Sequence, residues 1–348
     1  MNTTHKMICK ACFAYREKDV HVSQHELEYG DSDVLVKVDC GGICGSDIHY
    51  YQHGRAGMSV LKHPMVIGHE FVGVIEKAPT DSGLRAGQRV AVNPSQPCNH
   101  CVHCLEGKQN LCKTMRFMGS AQFNPHVHGG FSEYVVASPS QCIPYRKVSP
   151  QIMAFAEPTA VAIHAINVAG TLVGKKVLVI GAGPIGCLIM AAARSAGASE
   201  IVASDVSPRC LELATEMGAN ATFNPAEAGS AETYLAGSGY FDVVFEASGS
   251  PAAIQSTVAL TRPSGTVVQV GMGVASVEYP VMPMLVKEIK WAGSFRFINE
   301  FSTAVAWLED GRINPLPLLS GEYTPESIEE ALIAAADKTR SSKVQIKF

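Results

Sequence analysis

The stretch Val177-Leu-Val-Ile-Gly-Ala-Gly-Pro-Ile-Gly186 decides the fold. Its apolar first half suits a buried strand, the glycines at 181, 183 and 186 make a turn, and the residues from Pro184 to Ala196 read as a helix. Glycines at this G-x-G-x-x-G spacing allow a tight turn and a close approach of backbone to a pyrophosphate, whose charge meets the helix N-terminus. Gly181, Gly183, Pro184, Ile185 and Gly186 are therefore candidate dinucleotide-binding residues. An ordinary strand-to-helix turn is the plain alternative. Against it stands Asp205, 19 residues past Gly186 at the end of the next apolar run, where an acid holds the adenosine ribose hydroxyls. That carboxylate would repel a 2'-phosphate, which favours NAD, while Arg209 close behind it keeps NADP open.

Outward from this motif, short β-rich runs at Lys176 to Ile180, Glu200 to Asp205, Phe241 to Ala247, Gly265 to Val270 and Glu288 to Gly293 alternate with helical stretches such as Pro208 to Met217. That alternation predicts βαβ units and a parallel sheet, an α/β doubly wound Rossmann nucleotide-binding domain over residues 151–294. The first 150 residues differ. Alternating Val34, Val36 and Val38, frequent Gly and Pro, and a cysteine cluster predict a mostly β, loop-rich domain. The tail has a helical stretch, Glu300 to Glu309, and an alternating strand, Lys343 to Phe348, and is expected to return to that domain, giving a catalytic domain of residues 1–150 and 295–348.

A chain of 348 residues with 47% hydrophobic content can fill two cores. Its net charge of -4, with no basic block, offers no footprint for nucleic acid or an anionic membrane, so a small-molecule partner is expected. Met1 to Val20 lacks the apolar segment of a signal peptide, and the apolar stretch Val177 to Ala193 is broken by glycines that suit a turn better than a membrane span. Eleven cysteines without such a signal point to a reducing, cytoplasmic location.

Cys98, Cys101, Cys104 and Cys112 follow C-x2-C-x2-C-x7-C within one loop. Four thiolates at this spacing make a closed tetrahedral structural zinc site; buried free thiols would not explain four cysteines in fifteen residues. With four sulfurs available, His100 and His103 are not expected to bind the metal. A second set is dispersed: Cys44, His69, Glu70 and Glu157. A catalytic zinc needs mixed N, S and O ligands with one open position, which Cys44, His69 and a carboxylate supply. Spacing alone does not join residues so far apart.

The motifs Gly42-Ile-Cys-Gly-Ser-Asp-Ile-His49, Gly68-His-Glu-x-x-Gly73, the four-cysteine loop, Ala156-Glu-Pro158 and Gly181 to Gly186 together resemble the zinc-containing medium-chain dehydrogenase/reductase family, polyol dehydrogenase branch, across nearly the whole chain. The resemblance implies a GroES-like catalytic domain, one catalytic and one structural zinc per subunit, and hydride transfer between a secondary hydroxyl of a sugar acid and NAD(P). It makes Cys44 and His69 zinc ligands, with Glu70 and Glu157 supplying or exchanging the remaining ligation, and leaves open which acid touches the ion. It places Ser46 as the relay for the hydroxyl proton, where a helix cap is the alternative, and His49 as its path to solvent. Arg296 matches a substrate-facing arginine and is the first choice for a substrate carboxylate, with Glu157 also beside the substrate; Arg116, His126 and His128 are lesser candidates. Pro79, where the family has Gly or Ala, implies a local change of turn. Homotetramers or homodimers are expected. The rivals are a dehydrogenase for neutral polyols such as sorbitol or xylitol, and a non-enzymatic dinucleotide-binding redox sensor.

Overall fold

Strands Lys176–Ile180, Glu200–Ser204, Ala221–Phe223, Phe241–Glu246, Thr261–Gln269 and Lys290–Gly293 pair in parallel into one sheet. In chain order their places in space are third, second, first, fourth, fifth, sixth. The order reverses beside Lys176–Ile180, which sets the ligand crevice at the carboxyl ends of that strand and Phe241–Glu246. Leu178, Val202, Phe241, Val244 and Val267 fill the core between sheet and helices.

Two details escape the sequence reading. The strand Ala221–Phe223 is too short to show a pattern. Thr261–Gln269 begins four residues before its expected start at Gly265, because Pro263 and Gly265 read as turn signals where the sheet has a register irregularity.

The computed structural model describes residues 4–273 and 275–348. The chain divides into two compact units: Met1–Glu157 with Phe301–Gly311 and Leu319–Phe348, and Pro158–Glu300 with Arg312–Leu318. The first is mostly β. Its larger sheet runs Cys142–Pro144, Arg89–Val92, Glu70–Lys77, Val34–Gly42, Lys343–Lys347, Leu319–Tyr323, with Tyr134–Ala137 also on Val34–Gly42. Asp19–Tyr29, His5–Arg16 and Met65–Val66 form a second, three-stranded sheet.

The register matters for the site: Gly42 lies opposite Glu70 on one side and Gln345 on the other, so the last strand of the chain is laid against the site loops. Pro79 opens a turn closed by Ser82, whose N–H and hydroxyl both donate to the Pro79 carbonyl. Among the described residues, one helical stretch, Pro150–Ala169, is long and apolar enough to cross a membrane, and 72% of its apolar window is buried in the protein.

Candidate active site and metal centres

Cys44, His69 and Glu70 each bring one ligand atom into a group no more than 4.8 Å across. Cys44 follows the strand Val34–Gly42 and caps the helix Gly45–His53; His69 immediately precedes the strand Glu70–Lys77, which Glu70 opens. The buried carboxylate of Asp47 ties these loops together, accepting the Cys44 N–H at 2.9 Å and the Gly68 N–H at 3.0 Å. The helix is thus capped by the Cys44–Asp47 pair, which leaves the Ser46 hydroxyl out of the cap. Gly42 has a steric reason: a Cβ there would collide with the Glu70 carboxylate.

Glu70 is fastened by a residue that no local motif singles out. Lys343, 273 residues away, donates to both Glu70 oxygens at 2.9 and 2.8 Å and to the Ile43 carbonyl at 3.0 Å. Its side chain is 6% exposed and that of Glu70 2%. Burial alone would lower the lysine's pKa, but Glu70 and Cys44 hold it above its ordinary value. Only the pairing of the last strand brings the two together.

Glu157, in the first turn of the helix Ala156–Ala169, is buried and lies near the same cluster, outside the 4.8 Å group. Burial pushes its carboxyl up to about 8 against the pull of His69, with Glu70 and Cys44 adding to the rise. The Cys44 thiol is pushed up to about 12 by burial and by Glu70. Two carboxylates and a thiol therefore face one lysine in a desolvated pocket, and the buried Nδ1 of His69 has no hydrogen-bond partner among the described residues. The unpartnered His69 nitrogen and the S, N and O donors gathered around it fit zinc, which would bind Cys44 as the thiolate.

The four-cysteine loop also fits a metal. Cys98, Cys101, Cys104 and Cys112 fall within 4.8 Å of one another. Cys98 Sγ and Cys104 Sγ are 3.9 Å apart, close to the roughly 3.8 Å edge of a tetrahedron with zinc–sulfur bonds of about 2.3 Å. Amides already point at the sulfurs, Cys98 N–H to Cys112 Sγ at 3.2 Å and Cys101 N–H to Cys98 Sγ at 3.4 Å. Backbone donors hold the Cys98 thiol down to about 5. His100 bonds to the Cys98 carbonyl.

In the nucleotide-binding unit, Gly181 has φ +92° and Gly186 is packed so closely that a Cβ would collide with the Gly181 carbonyl. Gly183 caps the helix Pro184–Ser195, with open space where its side chain would be. Ile185 follows in that helix's first turn. Asp205 accepts the Ala182 N–H at 2.8 Å and the Ser207 N–H at 2.9 Å, which fixes its carboxylate beside the turn. Arg209 lies in the first turn of the helix Pro208–Glu216, its buried Nε without a partner among the described residues. Glu246, which sequence reasoning missed, stitches the crevice loops: it accepts from the Ser248 and Gly249 amides and from Gln269 Nε2 at 2.6 Å.

The remaining candidates fall in varied settings. His49 is exposed on its helix, 5.7 Å from the His53 ring; burial of part of its ring, His53 and Lys338 lower its pKa. Arg296 is half-buried in a left-handed backbone conformation, φ +54°, with its guanidinium 4.9 Å from the centre of the Phe295 ring. Arg116 donates to the Pro125 carbonyl. His126 bonds to the Phe123 carbonyl and accepts the Lys62 N–H, and His128 accepts the Val66 N–H, so both histidines serve the backbone.

A dinucleotide crevice, a mixed S/N/O metal cluster and a four-thiol loop on these two units define a zinc-dependent dehydrogenase. Residues 30–147 match the alcohol dehydrogenase GroES-like domain and residues 184–310 the zinc-binding dehydrogenase family. The chain belongs to the zinc-containing medium-chain dehydrogenase/reductase family, and it is an NAD(P)-dependent zinc enzyme acting on a small molecule. It is 50% identical to the L-idonate 5-dehydrogenase (NAD(P)(+)) of Escherichia coli K12 over 97% of this chain and 98% of that one. The crystal structure of E. coli L-idonate 5-dehydrogenase superposes with a TM-score of 0.96 at 49% identity, covering 99% of this chain and 100% of that. A probable D-xylulose reductase A of Neosartorya fischeri is 38% identical over 86% of this chain and 85% of that.

Proposed function

We propose that this chain oxidises L-idonate to 5-keto-D-gluconate, reversibly, with NAD(P). The observation that carries this reading is the 50% identity to an L-idonate 5-dehydrogenase along almost the full length of both chains. The intact metal cluster and glycine turn argue against a non-catalytic redox sensor.

Cys44, His69 and Glu70 would hold the catalytic zinc, with Glu157 beside its open position and the substrate, and Cys98, Cys101, Cys104 and Cys112 the structural one. When bound, the catalytic ion acidifies the substrate hydroxyl and the nicotinamide accepts the hydride. Ser46 takes the hydroxyl proton and His49 passes it to solvent. Arg296 meets the substrate carboxylate. Asp205 holds the ribose and selects NAD, and Arg209 admits NADP. The domains we assign are residues 1–150 with 295–348 for catalysis and 151–294 for the dinucleotide. The enzyme works as a homo-oligomer in the cytoplasm, where its thiols stay reduced.

The test is NAD- and NADP-dependent oxidation of L-idonate by the purified protein beside sorbitol, xylitol and D-gluconate, before and after zinc chelation. Preference for L-idonate that disappears on chelation is expected; preference for sorbitol or xylitol would replace the substrate with a neutral polyol.

A further inference from the structure

Arg296 sits in an unfavourable place for an arginine backbone. A non-glycine residue at φ +54° persists only where its surroundings hold it. The chain around it is held at both sides. Ser294 N–H donates to the Gln269 carbonyl at 2.8 Å, Phe297 is buried to 1% exposure, and the Ile298 N–H donates to Glu300 Oε2 at 2.6 Å. Glu300 is itself fixed from outside its own segment: Oε1 accepts from His164 Nδ1 at 3.0 Å and from Asn167 Nδ2 at 2.9 Å.

His164 and Asn167 lie three residues apart, on one face of the helix Ala156–Ala169. His164 and Glu300 are both more than nine-tenths buried. Burial alone would raise the Glu300 carboxyl, but His164, Asn167 and the Ile298 amide hold it down to about 2. An ionised carboxylate can only accept, so His164 carries its proton on Nδ1. A simple helix-start cap needs only the local amide. Two side-chain donors from a different helix, the buried His164 and the exposed Asn167, make it an anchor for residues 294–300.

We infer that Glu300, clamped by His164 and Asn167, is a positioning residue that fixes the Arg296 segment and thereby sets the preference for an acidic over a neutral substrate. This rests on the assignment of Arg296 to the substrate carboxylate. The arrangement takes no part in proton or hydride transfer; it acts only through where the guanidinium stands.

The test compares kcat/KM for L-idonate with that for the neutral polyol oxidised best, at saturating NAD, in the zinc-loaded enzyme. Glu300→Gln replaces one accepting oxygen by a donor, and His164→Ala removes the buried donor; each should lower the acid-to-neutral ratio roughly tenfold, as misplacement of a binding group does. His164→Asn keeps an N–H donor near the Nδ1 position and should restore the ratio to within about twofold of the wild type. NADH binding, read by fluorescence, reports that each variant is folded, and Asn167→Ala, which removes one donor at an exposed position, is the milder variant if Glu300→Gln does not fold. An unchanged ratio in the folded variants, with both rates falling together, overturns the inference and leaves a structural role only. Arg296→Ala separates the two claims. If it lowers the ratio and the clamp variants do not, the clamp alone is wrong; if it leaves the ratio unchanged, the assignment of Arg296 falls and the clamp's role with it.

Discussion

Two buried carboxylates carry the residue-scale argument, and each has a different kind of partner. Glu70 is neutralised by Lys343 in a site where both are nearly sealed from water. Removing one member of such a pair leaves the other charged in a low-dielectric pocket, which costs about 3–5 kcal/mol. Lys343→Ala should therefore lower the urea midpoint markedly in metal-stripped protein, and less in zinc-loaded protein, where the ion supplies positive charge. Equal midpoints for variant and wild type in the stripped form would show that Lys343 does not carry this charge. Glu300 is held down to about 2 from an ordinary 4.5. Its depressed pKa means that its contribution is present above about pH 4.5 and is lost as the pH falls towards 2, on the order of 3 kcal/mol in all. Between pH 5 and pH 3.5 the wild type should lose more urea resistance than Glu300→Gln; parallel losses would contradict the depressed value.

At the scale of elements, legibility followed sequence distance. The strand Lys176–Ile180, its glycine turn and the helix Glu300–Glu309 are local patterns, and all three stand where periodicity and turn chemistry put them. The gathering of the four cysteines was equally legible, since they share fifteen residues. The dispersed cluster was not: Cys44, His69 and Glu157 were joined by family likeness, and Lys343, Asp47, Glu246 and the His164–Glu300 contact stayed hidden because strand pairing and helix packing create them. The loop offers the sharpest test at this scale. Its small cluster of Cys104, Cys112, Met115 and Phe117 is too little to order a loop of this length without metal. Cys112→Ser should reduce bound zinc from two ions per chain to about one and expose residues between Pro97 and Lys113 to limited proteolysis, with dinucleotide binding retained. A variant with two zinc ions and an uncut loop would show that the thiols do not close on a metal.

For the whole molecule, the proposed self-association turns on one edge of the nucleotide-binding sheet. Among the described residues, Lys290–Gly293 pairs with Thr261–Gln269 on one side only, which leaves its outer edge open to another strand. Beside it, Val281, Met282, Leu285 and Val286 of the helix Val281–Val286 are between 56% and 74% exposed, and Trp291 on the strand is 44% exposed. An exposed apolar helix next to an unpaired edge is an interface or an aggregation hazard. In the homo-oligomer proposed above, two such edges would pair antiparallel about a two-fold axis and bury both apolar helices in a self-complementary contact. Leu285→Asp with Val286→Asp puts two carboxylates into that contact on each chain, four across the axis, without touching Gly181 to Gly186 or Asp205. Light scattering of the size-fractionated protein should then fall to the 37.1 kDa of a single chain, with NADH affinity unchanged. An oligomer of undiminished mass in the double variant would move the interface elsewhere on the chain and leave this edge to be explained by its own solvation.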